Sequence, residues 1–264
     1  MWFSLKKRLG RYSFIRSSYH VMFTLKQQFG FNILKCLYRL AGFTKDYRNF
    51  VGQIPNDDYS FGMSMRDLYP CLLDKTETSP VEPTYFYQDT WAAEKIFQNK
   101  PCTHVDVGSK VSTIGIISKF VPTTMVDIRP LPVTLENLTF KKGSITDLPF
   151  EDNSIESLSS LCVIEHIGLG RYGDEIDPLG SEKAISELKR VVARGGHLLI
   201  SVPVDDNNKI YFNAHRAFTR DYVLELFRDF ELIEERYIYG NKMYDSYDPI
   251  KGFGAGLFHF KKGK

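Results

Sequence analysis

The chain has 264 residues, of which 43% are hydrophobic and 25% are charged, so it is long enough to bury one substantial core with an appended segment but not two full domains. No apolar run reaches the roughly 18 residues that a membrane-spanning helix needs, and Lys, Arg and Gln interrupt the first segment too often for a signal peptide. The four cysteines lack C-x-x-C spacing, which argues against zinc or redox sites and predicts a cytoplasmic location.

The first predicted element is a basic extension over residues 1–45, with one or two amphipathic helices broken near Gly30. Residues 1–50 carry ten Lys or Arg and one acid, a local charge of +9, which leaves −7 for the rest of the chain. Aromatic side chains are interspersed with these basic residues. The mixture is typical of helices that bind an anionic membrane surface, here the inner face of the membrane. Packing of the aromatics on the main domain is the alternative, and a nucleic-acid partner is less favoured.

Residues 46–84 are predicted to be a connector, because four prolines interrupt regular structure there. Residues 85–264 are predicted to be one α/β domain, in which a helix over 88–98 precedes alternating strands and helices. The expected strands are 103–107, 124–128, 138–142, 156–163, 197–202, 230–239 and 255–261. The expected helices are 111–120, 181–192, which Gly195 and Gly196 are expected to end, and 219–227. This order predicts a Rossmann-like, doubly wound, mainly parallel sheet with a C-terminal antiparallel hairpin.

Three acids fall at or just after the carboxyl ends of the first three predicted strands. Asp106 precedes the turn at Gly108, Asp127 lies 21 positions later, and Asp147 follows the third strand. Ligands of doubly wound sheets bind beyond these strand ends, and an acid about 20 residues after the glycine turn binds the ribose of a nucleoside. The three acids therefore predict a nucleotide site.

These residues resemble the motifs of class I S-adenosylmethionine (SAM) methyltransferases over residues 88–262. Asp106 and Gly108 match the first motif, Asp127 the ribose acid and Asp147 the acid that contacts adenine, and residues 190–203 are similar to the helix-to-fifth-strand signature. The resemblance implies SAM as the cofactor. The residues that it implies for binding SAM are Asp106, Gly108, Ser109, Lys110, Asp127 and Asp147.

A second resemblance is to a bacterial methyltransferase-like domain family of unknown function, often encoded near surface-glycan genes. Residues 85–91, 165–174 and 213–216 look like its hallmarks, and a basic residue at position 110 is typical of it. This resemblance implies the fold more than the chemistry, and it suggests a glycan acceptor.

Lys110 stands where the first methyltransferase motif has its second glycine, which lets the backbone approach the ligand. The lysine could pair with the ligand's carboxylate or point into solvent. Three possibilities stay open: SAM binding by an altered loop, loss of SAM binding, or another nucleotide. A nicotinamide cofactor is disfavoured because G-x-G-x-x-G is absent.

The loop after the fourth strand contains the main candidates for chemistry. Glu165 and His166 are candidate bases for an acceptor hydroxyl, with His215 as a third catalytic candidate after the fifth strand. A His166 satisfied by a backbone carbonyl, and a turn held by Asn213, are the structural alternatives. Asp174 and Asp177 are too common a pair to predict a metal. The residues predicted to bind substrate are Arg171, Tyr172, Asp174, Asn213 and Arg216.

The leading hypothesis is a SAM-dependent methyltransferase that methylates an oxygen of a polar acceptor, such as a surface-glycan sugar or another small molecule. One alternative is a non-catalytic binding or scaffold protein that keeps the fold, motivated by Lys110. The other is an enzyme that uses a different nucleotide, such as a nucleotide sugar.

Overall fold

The computed structural model describes residues 33–54, 61 and 68–263, with side chains from residue 37 onward. The chain divides between Pro80 and Val81 into two compact units. In the first unit, helix α1 spans Ile33–Val51 and so continues past residue 45, where we predicted the extension to end. The predicted break near Gly30 lies outside the described residues. Within the described part of the chain, no helix is long and apolar enough to cross a membrane.

The second unit begins with helix α2, Pro83–Asn99, which starts five residues earlier than predicted. Pro83 stands at its first turn, where a missing N–H costs nothing, and the Glu82 carboxylate accepts a hydrogen bond from the Tyr85 N–H at 2.7 Å. The helix ends at Lys100, whose backbone is left-handed. Its apolar face is buried on the sheet, as the helical spacing of Trp91, Ala92 and Ile96 predicts.

Eight strands form one sheet in the order β3-β2-β1-β4-β5-β10-β8-β9, and a separate hairpin pairs β6 with β7. The strands are β1 His104–Val107, β2 Thr123–Asp127, β3 Leu138–Lys142, β4 Ile155–Leu161, β5 Val192–Val204, β6 Lys209–Tyr211, β7 His215–Ala217, β8 Phe230–Tyr239, β9 Lys242–Tyr244 and β10 Gly254–Lys262. The helices between them are α3 Val111–Ile117, α4 Gly180–Val191 and α5 Arg220–Leu226. Single turns of 3-10 helix lie at Ile164–His166 and Pro249–Lys251.

The predicted Rossmann-like fold is confirmed. Strands β1 to β5 are parallel, and β10 lies antiparallel between β5 and β8, which gives the expected C-terminal antiparallel arrangement. Each face of the sheet carries its own core: α4 and α5 pack on one side, and α2 and α3 on the other. The side chains that fill these layers, such as Leu188 on α4 and Ile114 on α3, are fully buried.

Gly195 and Gly196 do not end the helix α4, contrary to our prediction. The helix ends at Val191 and β5 starts at once, because the N–H groups of Asn153 and Ser154 bond to the last helical carbonyls. The glycines instead form an irregularity inside β5. A Cβ on Gly196 would lie 2.9 Å from the Ala193 carbonyl oxygen, so the strand tolerates no side chain there.

Candidate active site

A cavity of about 660 Å³ opens beyond the carboxyl ends of β1 to β4. This volume lies within the roughly 300–1,000 Å³ of typical small-molecule sites. The chain leaves β1 toward β2 on one side and β4 toward β5 on the other, and such a switch point is where doubly wound sheets bind ligands. The lining residues fall within 107–108, 126–129, 143–146, 162–168 and 172–183.

Gly108 lines the cavity at the end of β1. Its backbone is left-handed, with φ of +74°, and a Cβ there would meet Val163 Cγ1 at 3.0 Å. A side chain would therefore be strained and crowded at the position where the loop turns beside the cavity.

Asp106 and Ser109 do not line the cavity, although we predicted both to bind cofactor. The Asp106 carboxylate is fully buried and accepts hydrogen bonds from the Ser109 N–H at 3.0 Å, the Ser109 hydroxyl at 2.6 Å and the Ser159 hydroxyl at 2.5 Å. Burial raises the pKa of Asp106 to about 6, against the opposing effect of these donors. Both carboxylate oxygens of Asp106 are therefore occupied by serine donors, and the bonds to Ser109 fix the shape of the loop.

Lys110 also lies outside the lining. It is the N-cap residue of α3, its side chain makes no capping hydrogen bond, and its Nζ stands 5.3 Å from the centre of the Tyr85 ring. A cation over an aromatic face is a favourable contact. The lysine in place of the second glycine therefore points toward α2, so its side chain is not among those that line the cavity.

Asp127 lines the cavity at the end of β2, as expected of a ribose acid. Its carboxylate accepts from the Arg129 N–H at 2.8 Å and from the Arg129 side chain at 3.2 and 3.4 Å. The Arg129 side chain is 61% exposed, so this ion pair is screened by solvent and weak. A ligand hydroxyl could share or replace the arginine.

Asp147 was predicted to contact adenine, but it is exposed and does not line the cavity. Its N–H bonds to the Ser144 carbonyl, which closes a tight turn after β3. The turn presents Ser144, Ile145 and Thr146 to the cavity instead. The third acid is therefore displaced from the site by the turn that carries it.

His166 lines the cavity, and its ring Nδ1 lies 2.6 Å from the Ala214 carbonyl oxygen. A carbonyl only accepts, so Nδ1 carries the proton and Nε2 keeps its lone pair. Burial lowers the pKa of His166 to about 4, which keeps the ring neutral near pH 7. The carbonyl contact anticipated as the structural alternative is therefore present, and it leaves Nε2 available as a base.

Glu165 is fully buried next to His166 and is not among the lining residues. Its Oε1 lies 3.7 Å from His166 Nε2, and its Oε2 has no hydrogen-bond partner. Burial raises the pKa of Glu165 to about 8, so the carboxyl is mostly protonated at neutral pH. Adjacent groups with pKa values driven apart in this way are typical of acid–base sites.

The loop 168–180 is held by two of the residues that we predicted to bind substrate. The Asp174 carboxylate accepts from the N–H groups of Gly168 at 2.7 Å and Tyr172 at 3.2 Å, and these donors lower its pKa despite the opposing effect of burial. The Arg216 guanidinium is buried and donates to the carbonyls of Ile167, Asp177 and Pro178. Arg216 does not line the cavity, and its hydrogen bonds to these carbonyls hold the loop, so it acts as a structural residue.

Asn213, His215 and Arg171 also lie outside the lining. Asn213 is exposed at the tip of the β6–β7 hairpin with φ of +63°, which matches the turn role considered as the alternative. His215 follows it, and burial lowers its pKa. Arg171 donates to the Ala214 carbonyl at 3.0 Å, beside His166. Tyr172 does line the cavity, with the guanidinium carbons of Arg129 and Arg171 4.9 and 5.1 Å from its ring centre.

Sequence reasoning missed several lining residues. Cys162 directly follows β4 and lines the cavity with φ of +54°, which is rare for a residue other than glycine and typical of functional sites. Its thiol donates to the buried Gln88 side chain, and burial raises its pKa. Lys183, which pairs with Asp177 at 2.6 Å, was missed because it lies inside a helix pattern. No group of three or more His, Cys, Asp or Glu side chains in the described part could bind a metal ion.

A family described as "Caenorhabditis protein of unknown function, DUF268" matches residues 149–246. The match includes the hallmarks expected at 165–174 and 213–216 but not the one at 85–91. Its description names Caenorhabditis, whereas we expected a bacterial family encoded near glycan genes. No curated protein matches the chain.

Among solved structures, the chain is similar to the N-methyltransferase NodS from Bradyrhizobium japonicum WM9, in complex with S-adenosyl-L-homocysteine (SAH). The identity is 13% over 74% of this chain and 92% of NodS, with a TM-score of 0.52. It is also similar to the [4+2]-cyclase SpnF, at 12% identity over 66% of this chain and 81% of SpnF, with a TM-score of 0.51. These similarities establish the Rossmann-like fold of class I methyltransferases. Because one of the two proteins is a cyclase by name, the fold alone does not decide the reaction.

Proposed function

We propose that this protein is a SAM-dependent methyltransferase that methylates an oxygen of a polar acceptor, such as a sugar of a surface glycan. The observation that carries the proposal is the cavity itself, which joins Gly108 and Asp127, at the strand ends where a nucleoside binds, to His166, a neutral histidine. The methyltransferase resemblance of the sequence and the fold of NodS support the choice of SAM among nucleosides.

The residues around the cavity fit a nucleoside cofactor. Asp127 would bind the ribose hydroxyls, and Ile128 and Ile145 offer apolar surface to the base. The turn at Gly108 supports the fit. Because Gly108 has no side chain, only its backbone occupies the space between Val163 and the cavity, and a ligand could approach this backbone closely. Bound SAM would supply an electrophilic methyl group.

His166 would remove the proton of the acceptor hydroxyl. Its Nδ1–H is anchored to the Ala214 carbonyl, so the ring orientation is fixed and Nε2 is the atom that takes the proton. The imidazolium formed in this way is stabilised at Nδ1 by the same carbonyl. A positioned base of this kind contributes typically 10²–10⁴-fold to a rate. Glu165, 3.7 Å from Nε2, is the second group that could exchange this proton.

Titration calorimetry with SAM and SAH tests the cofactor. We expect binding of both, and its loss in Asp127→Ala. If neither binds at millimolar concentration while the protein is folded, the methyltransferase proposal fails. A thermal-shift screen of nucleotides then tests the nucleotide-sugar alternative, since a true ligand stabilises the native state by mass action.

Transfer of a labelled methyl group from SAM to a cell-envelope extract tests catalysis and the glycan acceptor. We expect labelled sugar in the wild type and none in His166→Gln. SAH binding by the wild type without methyl transfer to any extract fraction would instead favour the non-catalytic binding protein.

We also propose that the basic N-terminal extension binds an anionic membrane surface. The charge of +9 in residues 1–50 supports this, as do the exposed Leu37, Tyr38 and Phe50 on α1, which alternate with Arg39 and Arg48. Sedimentation with phosphatidylserine vesicles should retain the chain at low salt and release it at high salt. Equal binding to neutral vesicles would contradict the proposal.

A further inference from the structure

Arg171 lies beside His166 but outside the cavity lining, and it differs from the two cations that do line the cavity. Arg129 pairs with Asp127 and Lys183 pairs with Asp177, both at salt-bridge distance. Within the described part of the chain, Arg171 forms no salt bridge with a carboxylate. Its contacts are the Ala214 carbonyl at 3.0 Å, His166 Nδ1 at 3.4 Å and the Tyr172 ring. Residues 51–264 carry a net charge of −7, so this arginine is not part of a generally basic surface.

The Arg171 guanidinium and the proposed catalytic histidine donate to the same carbonyl oxygen. Ala214 O accepts from Arg171 at 3.0 Å and from His166 Nδ1 at 2.6 Å. The free donors of the guanidinium therefore stand beside His166, on the side of the β6–β7 hairpin. A planar guanidinium of this kind is suited to a carboxylate or a phosphate group.

Three aromatic rings, which we call the aromatic shelf, lie near Arg171, because His215 directly follows Ala214, whose carbonyl Arg171 contacts. It consists of Tyr211, His215 and Phe253, with ring centres 5.1 to 6.2 Å apart, and the hairpin register places Tyr211 directly opposite His215. Tyr211 is 41% exposed and Phe253 is 50% exposed. The negative face of an aromatic ring attracts the electropositive C–H bonds on the apolar face of a sugar ring.

We infer that the acceptor is an anionic sugar, whose carboxylate or phosphate group pairs with Arg171 while its ring packs on the shelf of Tyr211, His215 and Phe253. The inference deepens the proposed function, because it takes the His166 side of the cavity as the acceptor site. It explains why an uncompensated cation and exposed rings adjoin the same histidine.

The test measures dissociation constants by ligand-observed NMR, without cofactor, for glucuronate, glucose 6-phosphate, glucose and inorganic phosphate. We expect at least one charged sugar to bind about tenfold more tightly than glucose, since hydrogen bonds to charged groups are the stronger ones. The preferred charged sugar identifies the anion as carboxylate or phosphate. Equal affinity for charged and neutral sugars would overturn the inference.

Three variants make the test specific. Arg171→Gln should abolish the preference for the charged sugar, whereas Arg228→Gln should keep it, because Arg228 is an exposed arginine paired with Glu225 outside the cavity. Phe253→Ala should weaken the binding of the sugars but not the binding of inorganic phosphate. Inorganic phosphate that binds as tightly as the charged sugars would show an ion site only and would contradict the shelf. SAH calorimetry on the same samples is independent, so failure of SAH binding with retained sugar binding would sink the proposed function alone.

Discussion

The two sides of the cavity are built differently. One side, formed by Gly108, residues 126–129 and residues 143–146, consists of short turns at strand ends. The other, formed by His166 and the loop 168–180, is rich in charged side chains, but several of them support the loop. A long loop near the surface must satisfy its own backbone groups, and it does so here with Asp174 and Arg216. A high density of polar residues therefore overstates the number of ligand contacts.

We expect the largest loss of activity at His166, which lines the second side of the cavity. His166→Gln should lower turnover by about 10²–10⁴-fold and leave SAH affinity unchanged, because it removes only the base. His197→Gln should change turnover far less, since the His197 ring contacts His259 and does not line the cavity. Because burial lowers the pKa of His166 to about 4, the wild-type pH–rate profile should show no limb near 6.5. Equal losses of turnover in the two variants would contradict a specific role for the histidine that lines the cavity.

The second largest effect should be on stability, at Arg216, which holds the loop 168–180. Arg216→Met should cost about 3 kcal/mol of unfolding free energy in urea, because three partly buried carbonyl oxygens lose their charged donor at once. Arg228→Met is the matched control at an exposed arginine and should change stability little. Full stability of Arg216→Met with weakened acceptor binding would return Arg216 to the substrate-binding role that we first predicted for it.

Much of the fold was predictable because it depends on local periodicity. The spacing of Ile114 and Ile117 and of Leu188 and Val191 identified the helices, and apolar runs identified the strands. The short strands β6 and β7 were missed because three residues carry no periodicity, and the turn at Asn213 was the only local signal. Gly195 and Gly196 were misread because a glycine pair after a helix pattern is typical of a cap. The steric role of Gly196 depends instead on Glu156 in a neighbouring strand, and Gly195 has a positive φ of +75°.

The site was predictable only in part, for a physical reason. Spacing places Asp127 at a strand end, and the fold leaves it facing the cavity. The same spacing places Asp106 there, but Ser159, 53 positions away, takes up its carboxylate. Whether a polar group is free or already bonded depends on such distant partners, which no local pattern contains.

Glu165 offers a test of stability rather than of binding. Its pKa of about 8 in the folded chain, raised by burial from an ordinary 4.5, means that the native state holds a proton that the unfolded chain releases between these values. The stability that the neutral carboxyl contributes is fully present below pH 4.5 and is lost as the pH rises toward 8, by about 1 kcal/mol per pH unit. Gln at this position cannot titrate.

The urea stability of Glu165→Gln relative to wild type should therefore increase from pH 6 to pH 8. A constant difference across this range would mean that Glu165 is ionised in the folded protein, which would remove it as a proton donor to the His166 side.

The smallest predicted effect contrasts two acids of the strand-end side. Asp127→Asn should weaken the binding of SAH about tenfold in calorimetry. The amide keeps one acceptor oxygen but loses the negative charge that strengthens hydrogen bonds from the ribose hydroxyls. Asp147→Asn should leave the affinity within about twofold, since Asp147 is exposed outside the lining and its contribution to a surface turn is small. The pair keeps residue type and sheet edge constant and varies only whether the carboxylate reaches the cavity. An equal loss in both would mean that the turn after β3 reorganises around the ligand, and that Asp147 contacts adenine as the family resemblance implied.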